Sequence, residues 1–455
     1  MDRCFSVISF ITRLFNTAVC FARSGLWVIV FCTFFTGNTT AESLTDGPVV
    51  GAVTDTSAKV FVRVSGPGAV YLEYSTDPNL RFAMQSDVVY PRYRDDFTAI
   101  IPIDGLLPNR TYYYQVIVDG QPTLSSLSSF ISFPPDHVNT EFSFAALADV
   151  GNSKSRGAPS YARLAIDEPR FLLQIGDWDH RDPQTLDEMR LMHREVRGQG
   201  MSSGRYFRDF IANTTPLYYV WDDHDYGMND GDYTFPGKAD AIKAYREYFP
   251  TPELPNPEAG IWQSFRYAQV EIFMLDVRSN RDPNTDTDDE NKSMLNGENI
   301  ENGQKEWLFS GLANSTAKWK IITSGVTFNP TTKPADAWGA FTTEWQEVVD
   351  FITANNIRNV LVLSGDLHSG GAFDDGTNAG VPEMSVPHSN MNMNDDHPTG
   401  ITTHTPGTWT SGYIRGPENP GYVLVTVETN PDRLILEVKG ISGDIRMTET
   451  LESND

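Results

Sequence analysis

The chain has 455 residues, a formal charge of −25, 40% hydrophobic residues and 12% aromatic residues. This is a globular composition, too aromatic and too weakly charged for disorder, and long enough for two or three domains. The acidity argues against nucleic-acid binding by Lys/Arg neutralisation of phosphates, and it favours cations as ligands.

Residues 1–41 read as a secretory signal peptide. Arg3, Arg13 and Arg23 precede the uncharged apolar run Gly25–Thr36, and small residues follow up to Ala41. The run is shorter than the ~20 apolar residues a membrane span needs. Cleavage there leaves no transmembrane anchor and predicts a secreted or periplasmic protein. All three cysteines, Cys4, Cys20 and Cys32, lie in this segment. The remainder then has no disulfide, cysteine nucleophile or Cys-bound zinc.

Residues 42–138 read as a small all-β sandwich. Short alternating runs occur at 49–64, 70–74, 97–103 and 112–118, with turn residues between them. Leu107-Pro108-Asn109-Arg110-Thr111-Tyr112-Tyr113-Tyr114 resembles the corner of a fibronectin type III module, and Pro134-Pro135 suits a linker.

Residues 139–455 change to an α/β pattern. Continuous apolar runs, which suit buried strands, end in polar residues at Asp149, Gly176-Asp177, Trp221-Asp222-Asp223-His224, Asp276, Ser324-Gly325 and Gly365-Asp366. Helical stretches are expected at 161–166, 186–197, 239–248, 302–310 and 342–354. The tail from Gly421 returns to β and closes a sheet. The acidic run Asp282–Glu290 lacks the glycine and final glutamate of an EF-hand loop and reads as solvated.

Strand ends of a layered α/β domain converge on one crevice. Four of them carry Asp149, then Asp177-Trp178-Asp179-His180, then Asp222-Asp223-His224, then Asp366-Leu367-His368. Carboxylates gathered in one crevice repel one another unless cations hold them. Carboxylates with imidazoles suit two ions that activate water and clamp a phosphoryl group.

In this order the motifs resemble the calcineurin-like metallophosphoesterases. Trp221–Asp225, Leu275–Asp282 and Ser364–Ser369 resemble the alkaline phosphatase D-like (PhoD-like) branch. The resemblance implies a metallophosphoesterase β-sandwich flanked by helices, after a fibronectin III/Ig-like sandwich. It implies two metals: Fe, Zn or Mn in the first site, and Ca, Mg or Mn in the second. Asp149, His180 and His368 would hold the first, Asp177 would bridge, and Asp223 and Asp366 would hold the second. His224 would stabilise the transition state or protonate the leaving oxygen. The substrates implied are small phosphomonoesters or phosphodiesters, hydrolysed in the alkaline range, with no nucleic acid as a structural partner.

The chain departs from the family in three places. Ala148-Asp149 replaces a frequent Ser-Cys, His180 stands where relatives often have a tyrosine iron ligand, and no isolated histidine lies near 324–329. Arg278 and Asn152 are candidate phosphate-binding residues; Arg278 could equally pair with Asp276 or Asp282. His180 could ligate or support a ligand. Asp222 and Asp179 are expected beside the ligands. Trp178 and Trp221 should wall the site; His388, His397 and His404 read as surface histidines of a loop expected to overhang it. Two alternatives stay open: a dedicated phosphodiesterase or phospholipase-type enzyme, and a non-catalytic surface-binding protein with structural metals.

Overall fold

A computed structural model describes residues 42–123, 126–151, 159–197, 202–297, 303–389, 408–414 and 419–454. The expected signal segment lies outside these residues, as do Asn152, His397 and His404, while His388, read as a surface histidine, is instead fully buried. Among the described residues no helix is long and apolar enough to cross a membrane.

The first strands are β1 (Leu44–Gly51), β2 (Ser57–Val64), β3 (Val70–Ser75), β4 (Met84–Gln85), β5 (Thr98–Asp104), β6 (Thr111–Val118), β7 (Gln121–Pro122) and β8 (Ser128–Ile131). One sheet has the order β1-β2-β5; the other runs β4-β3-β6-β7, with β8 also pairing β6. Val60, Val62, Leu72, Tyr114 and Val116 alternate inward and are buried between the sheets. The corner anticipated at Leu107–Tyr114 is present: Leu107 N–H donates to Tyr112 Oη at 2.8 Å.

The larger region begins with β9 (Phe142–Leu147), α1 (Pro159–Asp167), β10 (Leu172–Ile175), α2 (Leu186–Val196), α3 (Ser202–Phe210), β11 (Leu217–Val220), α4 (Asp223–Tyr226) and α5 (Lys238–Tyr248). It continues through β12 (Gln263–Tyr267), β13 (Val270–Met274), α6 (Gln304–Asn314), β14 (Trp319–Ser324), α7 (Thr342–Ala354) and β15 (Val360–Ser364). It ends with β16 (Ala372–Asp374), β17 (Glu383–Ser385), β18 (Gly412–Tyr413), β19 (Gly421–Thr429), β20 (Asp432–Gly440) and β21 (Ile445–Glu452).

Two sheets result, ordered β11-β10-β9-β19-β20-β21 and β12-β13-β14-β15-β17-β16-β18. The C-terminal tail does close a sheet, since β19 runs antiparallel to β9 with Leu424 opposite Ala145. Period-two alternation explains the layers. Ile272, Met274, Ile321, Leu361 and Leu363 join the main core, while Phe273, Ile322 and Val362 pack with Leu308, Leu312 and Val348 of α6 and α7.

Three differences from the sequence reading have local causes. α3 was not anticipated; two serines and Gly204 begin its sequence, and these are weak helix signals. α6 begins two residues later than expected and runs on to Asn314. The acidic run is only partly solvated: Asp282 is buried and accepts from Ser293 N–H at 2.8 Å, and Asp288 accepts from Thr342 N–H at 2.9 Å, capping α7.

The small sandwich packs on α2, α5 and β11. Arg197, just past α2, is buried with its guanidinium 4.7 Å from the Phe61 ring centroid and 4.0 Å from that of Phe249. Lys59 donates to Thr251 O at 2.8 Å and Arg194 pairs with Asp96 at 2.8 Å. These contacts fix the rear of α2, whose other end adjoins the acidic crevice.

Candidate metal centre

Strand ends from both sheets build the centre. Asp149 follows β9, Asp177 follows β10, Asp222-Asp223-His224 follow β11, and Asp366 and His368 follow β15. The chain leaves the extended region sharply here: Asp149, Asp177, Asp366 and His368 have φ of 51°, 47°, 57° and 51°. Left-handed backbone costs a non-glycine residue roughly 1–2 kcal/mol, and such strain gathers at functional sites. Gly176 and Gly365 allow the close approach. A Cβ on Gly176 would lie 2.6 Å from Asp222 Cβ, and one on Gly365 would lie 2.7 Å from Gly325 O. Backbone bonds join the loops, with Val150 N–H donating to Asp177 O at 2.8 Å.

Asp149, Asp177, His180 and His368 form one group whose potential ligand atoms all lie within 4.8 Å of one another. Asp177 also belongs to a group with Asp223 and His224, and to another with Asp222 and Asp366. Both carboxylate oxygens of Asp149 and Oδ1 of Asp177 are buried with no hydrogen-bond partner among the described residues. Buried carboxylate oxygens are rarely left so. The donor set of hard oxygens with imidazole nitrogens therefore fits metal ions.

The electrostatics carry the strain of this crowding. Burial, then the neighbouring charge of Asp177, pushes Asp149 up to about 7. Burial likewise raises Asp366 to about 6, against the pull of Lys333. For Asp177 burial also raises, but His180 and His224 outweigh it and hold the carboxyl well below its ordinary value. His180 accordingly sits 3.1 Å from Asp177 Oδ2 and is raised. Burial lowers His368 to about 4. His224 is the opposite case: burial disfavours its charge, yet Asp177, Asp182 and Asp223 raise it to about 11.

His224 Nδ1 lies 2.7 Å from Asp182 Oδ1. Asp223 accepts from His224 N–H at 3.0 Å and from Asp230 N–H at 2.7 Å. Asp222, fully buried, accepts from Arg278 Nε and also reaches the cluster with Asp177 and Asp366. Asp179 pairs with Arg181 at 2.6 Å. Trp178 and Trp221 are buried as expected, and Trp221 Nε1 donates to Asp276 Oδ1 at 2.9 Å.

Arg278 differs from the phosphate clamp anticipated in the sequence. Its side chain is 0% exposed, and NH1 and NH2 each donate to Asp336 at 3.0 Å, while Nε faces Asp222. A guanidinium so enclosed by carboxylates ties together the loops that carry Asp222, Asp223 and Asp336. The alternative partners weighed from sequence, Asp276 and Asp282, are not the ones chosen: Asp276 receives the Arg278 backbone N–H at 3.1 Å.

The sequence reading missed Asp182, Lys333, Asp336 and Glu383. Asp182 lies two residues past His180, a usable signal. Asp336 and Lys333 come from the loop between β14 and α7, where no motif marks them. Glu383 is buried and accepts the N–H groups of Phe328 and Asn329 at 2.9 and 2.7 Å, which shapes that loop.

Comparison with known proteins agrees with this geometry. Residues 174–389 match the family described as PhoD-like phosphatase, and residues 41–136 match a domain of unknown function, DUF7800. Alkaline phosphatase D of Bacillus subtilis (strain 168) is 24% identical over 321 residues, covering 59% of this chain and 53% of that protein. The chain thus matches about half the length of that relative. The solved structure of PhoD superposes with a TM-score of 0.74 at 19% identity, covering 91% of both chains. Purple acid phosphatase PPD1 from yellow lupin superposes at 0.61 and 14% identity, covering 89% of this chain and 74% of its own. These two likenesses establish a metallophosphoesterase-like fold, and over residues 174–389 the chain is similar to the PhoD-like phosphatase family.

Proposed function

We propose that the protein is an exported, metal-dependent phosphoric ester hydrolase acting on phosphomonoesters, phosphodiesters or both. The observation that carries this is Asp177, shared by separate ligand groups at the meeting point of the two sheets, beside the unsatisfied carboxylate of Asp149. Residues 42–138 are assigned as an accessory sandwich and 139–455 as the catalytic region. Export rests on the basic, apolar and small-residue pattern of 1–41.

Asp149, His180 and His368 are assigned to a first ion, Asp223 and Asp366 to a second, and Asp177 to both. Bound cations supply Lewis-acid polarisation of a phosphoryl oxygen and lower the pKa of water. The oxygen-rich second group suits Ca, Mg or Mn; the first, with two imidazoles, suits Fe, Zn or Mn. His224 is assigned as the proton donor to the leaving oxygen. Asp182 accepts its Nδ1 proton, so the ring is oriented. Arg278 braces Asp222 and Asp223 by direct contact and is itself held by Asp336. No Ser or Thr nucleophile is required by this arrangement.

Hydrolysis of p-nitrophenyl phosphate and bis-p-nitrophenyl phosphate by the purified protein, at alkaline pH with added Ca and Fe or Mn, tests the reading. Turnover abolished in Asp177→Asn supports it. Absence of turnover on either ester, with metals demonstrably bound, rejects it.

A further inference from the structure

We propose that Lys333 is the substrate-recognising cation of this centre, and that it selects esters with a doubly charged terminal phosphoryl group. The proposal rests on the hydrolase reading above and deepens it to a substrate class.

An anionic substrate approaching a crevice of carboxylates needs positive charge besides the metals. Of the arginines and lysines seen touching cluster carboxylates among the described residues, Arg278 and Arg281 are 0% exposed and committed to Asp336. Arg181, a neighbour in sequence of His180, is as exposed as Lys333 but is held between two carboxylates, Asp179 and Glu195. Lys333 differs. Its side chain is 25% exposed, and its ammonium group donates to Asp366 O at 2.9 Å and contacts Asp366 Oδ2. Asp366 in turn lies with Asp177 and Asp222 in one ligand group. The ammonium therefore stands beside the second-ion group, on a side chain that solvent partly reaches.

The backbone under Lys333 is braced. Glu383 holds the N–H groups of Phe328 and Asn329. The Asn329 side chain accepts from Thr331 N–H at 3.0 Å, and Thr332 Oγ1 donates to Asn329 O at 2.8 Å. A flexible, compact ammonium on a fixed loop can swing from Asp366 to a phosphoryl oxygen without moving the backbone. A phosphomonoester above its second pKa of ~6 carries one more negative charge than a diester. The extra charge is what a single added cation rewards.

The test uses the full protein loaded with Ca and Fe or Mn, with Lys333→Met and Lys333→Arg beside wild type. Metal content is checked in each. For Lys333→Met the expected result is a KM for p-nitrophenyl phosphate raised roughly tenfold to a hundredfold, as for loss of a charge-assisted hydrogen bond. KM for bis-p-nitrophenyl phosphate should stay within about twofold, and Lys333→Arg should recover most of the monoester effect. Calorimetric affinity for inorganic phosphate should fall in step with the monoester KM. Equal losses on both esters, or unchanged phosphate affinity, overturn the proposal. If wild type cleaves neither ester, the hydrolase reading fails, and phosphate affinity alone then decides whether Lys333 binds the dianion.

Discussion

The imidazole of His224 lies with Nδ1 2.7 Å from Oδ1 of Asp182, a residue on the loop between β10 and α2. An ionised carboxylate only accepts, so Nδ1 carries the proton and the ring tautomer is set. Asp182 also favours the charged imidazolium.

Replacing Asp182 with Asn should therefore weaken proton donation. Turnover of an alkyl phosphate should fall about 10²-fold, the lower end of what general acid catalysis contributes. The nitrophenyl esters, whose leaving group needs less help, should lose less. Removing the carboxylate lowers the His224 pKa, so the alkaline limb of the pH–rate profile should move to lower pH. Equal losses for both leaving groups with an unmoved alkaline limb would refute the assignment.

Asp177→Asn should lose metal as well as activity, because this carboxylate serves more than one group. The loss should exceed the roughly 10–100-fold that partners outside the ligand set cost. Elemental analysis after dialysis is the direct check. Wild type should also gain thermal stability on metal addition, about 2.7 kcal/mol at a hundredfold excess over Kd. A variant with full metal content and full turnover would remove Asp177 from the centre.

Arg278→Lys separates clamp from brace. A lysine cannot make the paired bonds to Asp336 together with that to Asp222. It leaves buried carboxylates poorly compensated, a change that costs about 3–5 kcal/mol when a buried pair is broken outright. Urea unfolding should show a substantial part of that loss. A phosphate clamp predicts the reverse: intact stability and a raised KM.

Much of the centre was legible because its chemistry sits on buried strands. Apolar runs ending in Asp177, Asp223 and Asp366 needed only the rule that strand ends converge, and the structure does bring them together. The supporting residues were harder to see. Lys333 and Asp336 reach the site from a loop whose path depends on Glu383, some fifty residues further along the chain. Arg278 was visible in sequence, but its partner was not, because Asp336 is placed by tertiary packing alone. The helix α3 was missed for a local reason, its glycine and serines.

The tyrosine corner of the small sandwich gives a test far from the chemistry. Tyr112→Phe removes one hydrogen bond to Leu107 N–H and leaves the ring stacked on Phe130 at 5.9 Å. Stability should fall by about 1–2 kcal/mol. The kinetic constants should be unchanged, and a loss of turnover without unfolding would show that the sandwich acts on the centre directly.

His193 on α2 links pH to the seam between the two regions. It is buried, 5.4 Å from the Tyr248 ring and 5.1 Å from Phe249. Burial, helped by Arg197, holds its pKa well below 6.5. The unfolded chain therefore binds a proton that the folded one refuses. The stability is present in full above pH 6.5 and is lost as pH falls below it, by up to ~1.4 kcal/mol per pH unit. His193→Phe keeps an aromatic ring there and abolishes the proton. Urea unfolding of both proteins at pH 7.5, 6.5 and 5.5 should show the variant overtaking wild type toward acid, since all other titrations cancel in the comparison. Parallel curves would mean that His193 is protonated alike in both states, and that the seam tolerates a charge between Arg197 and two aromatic rings.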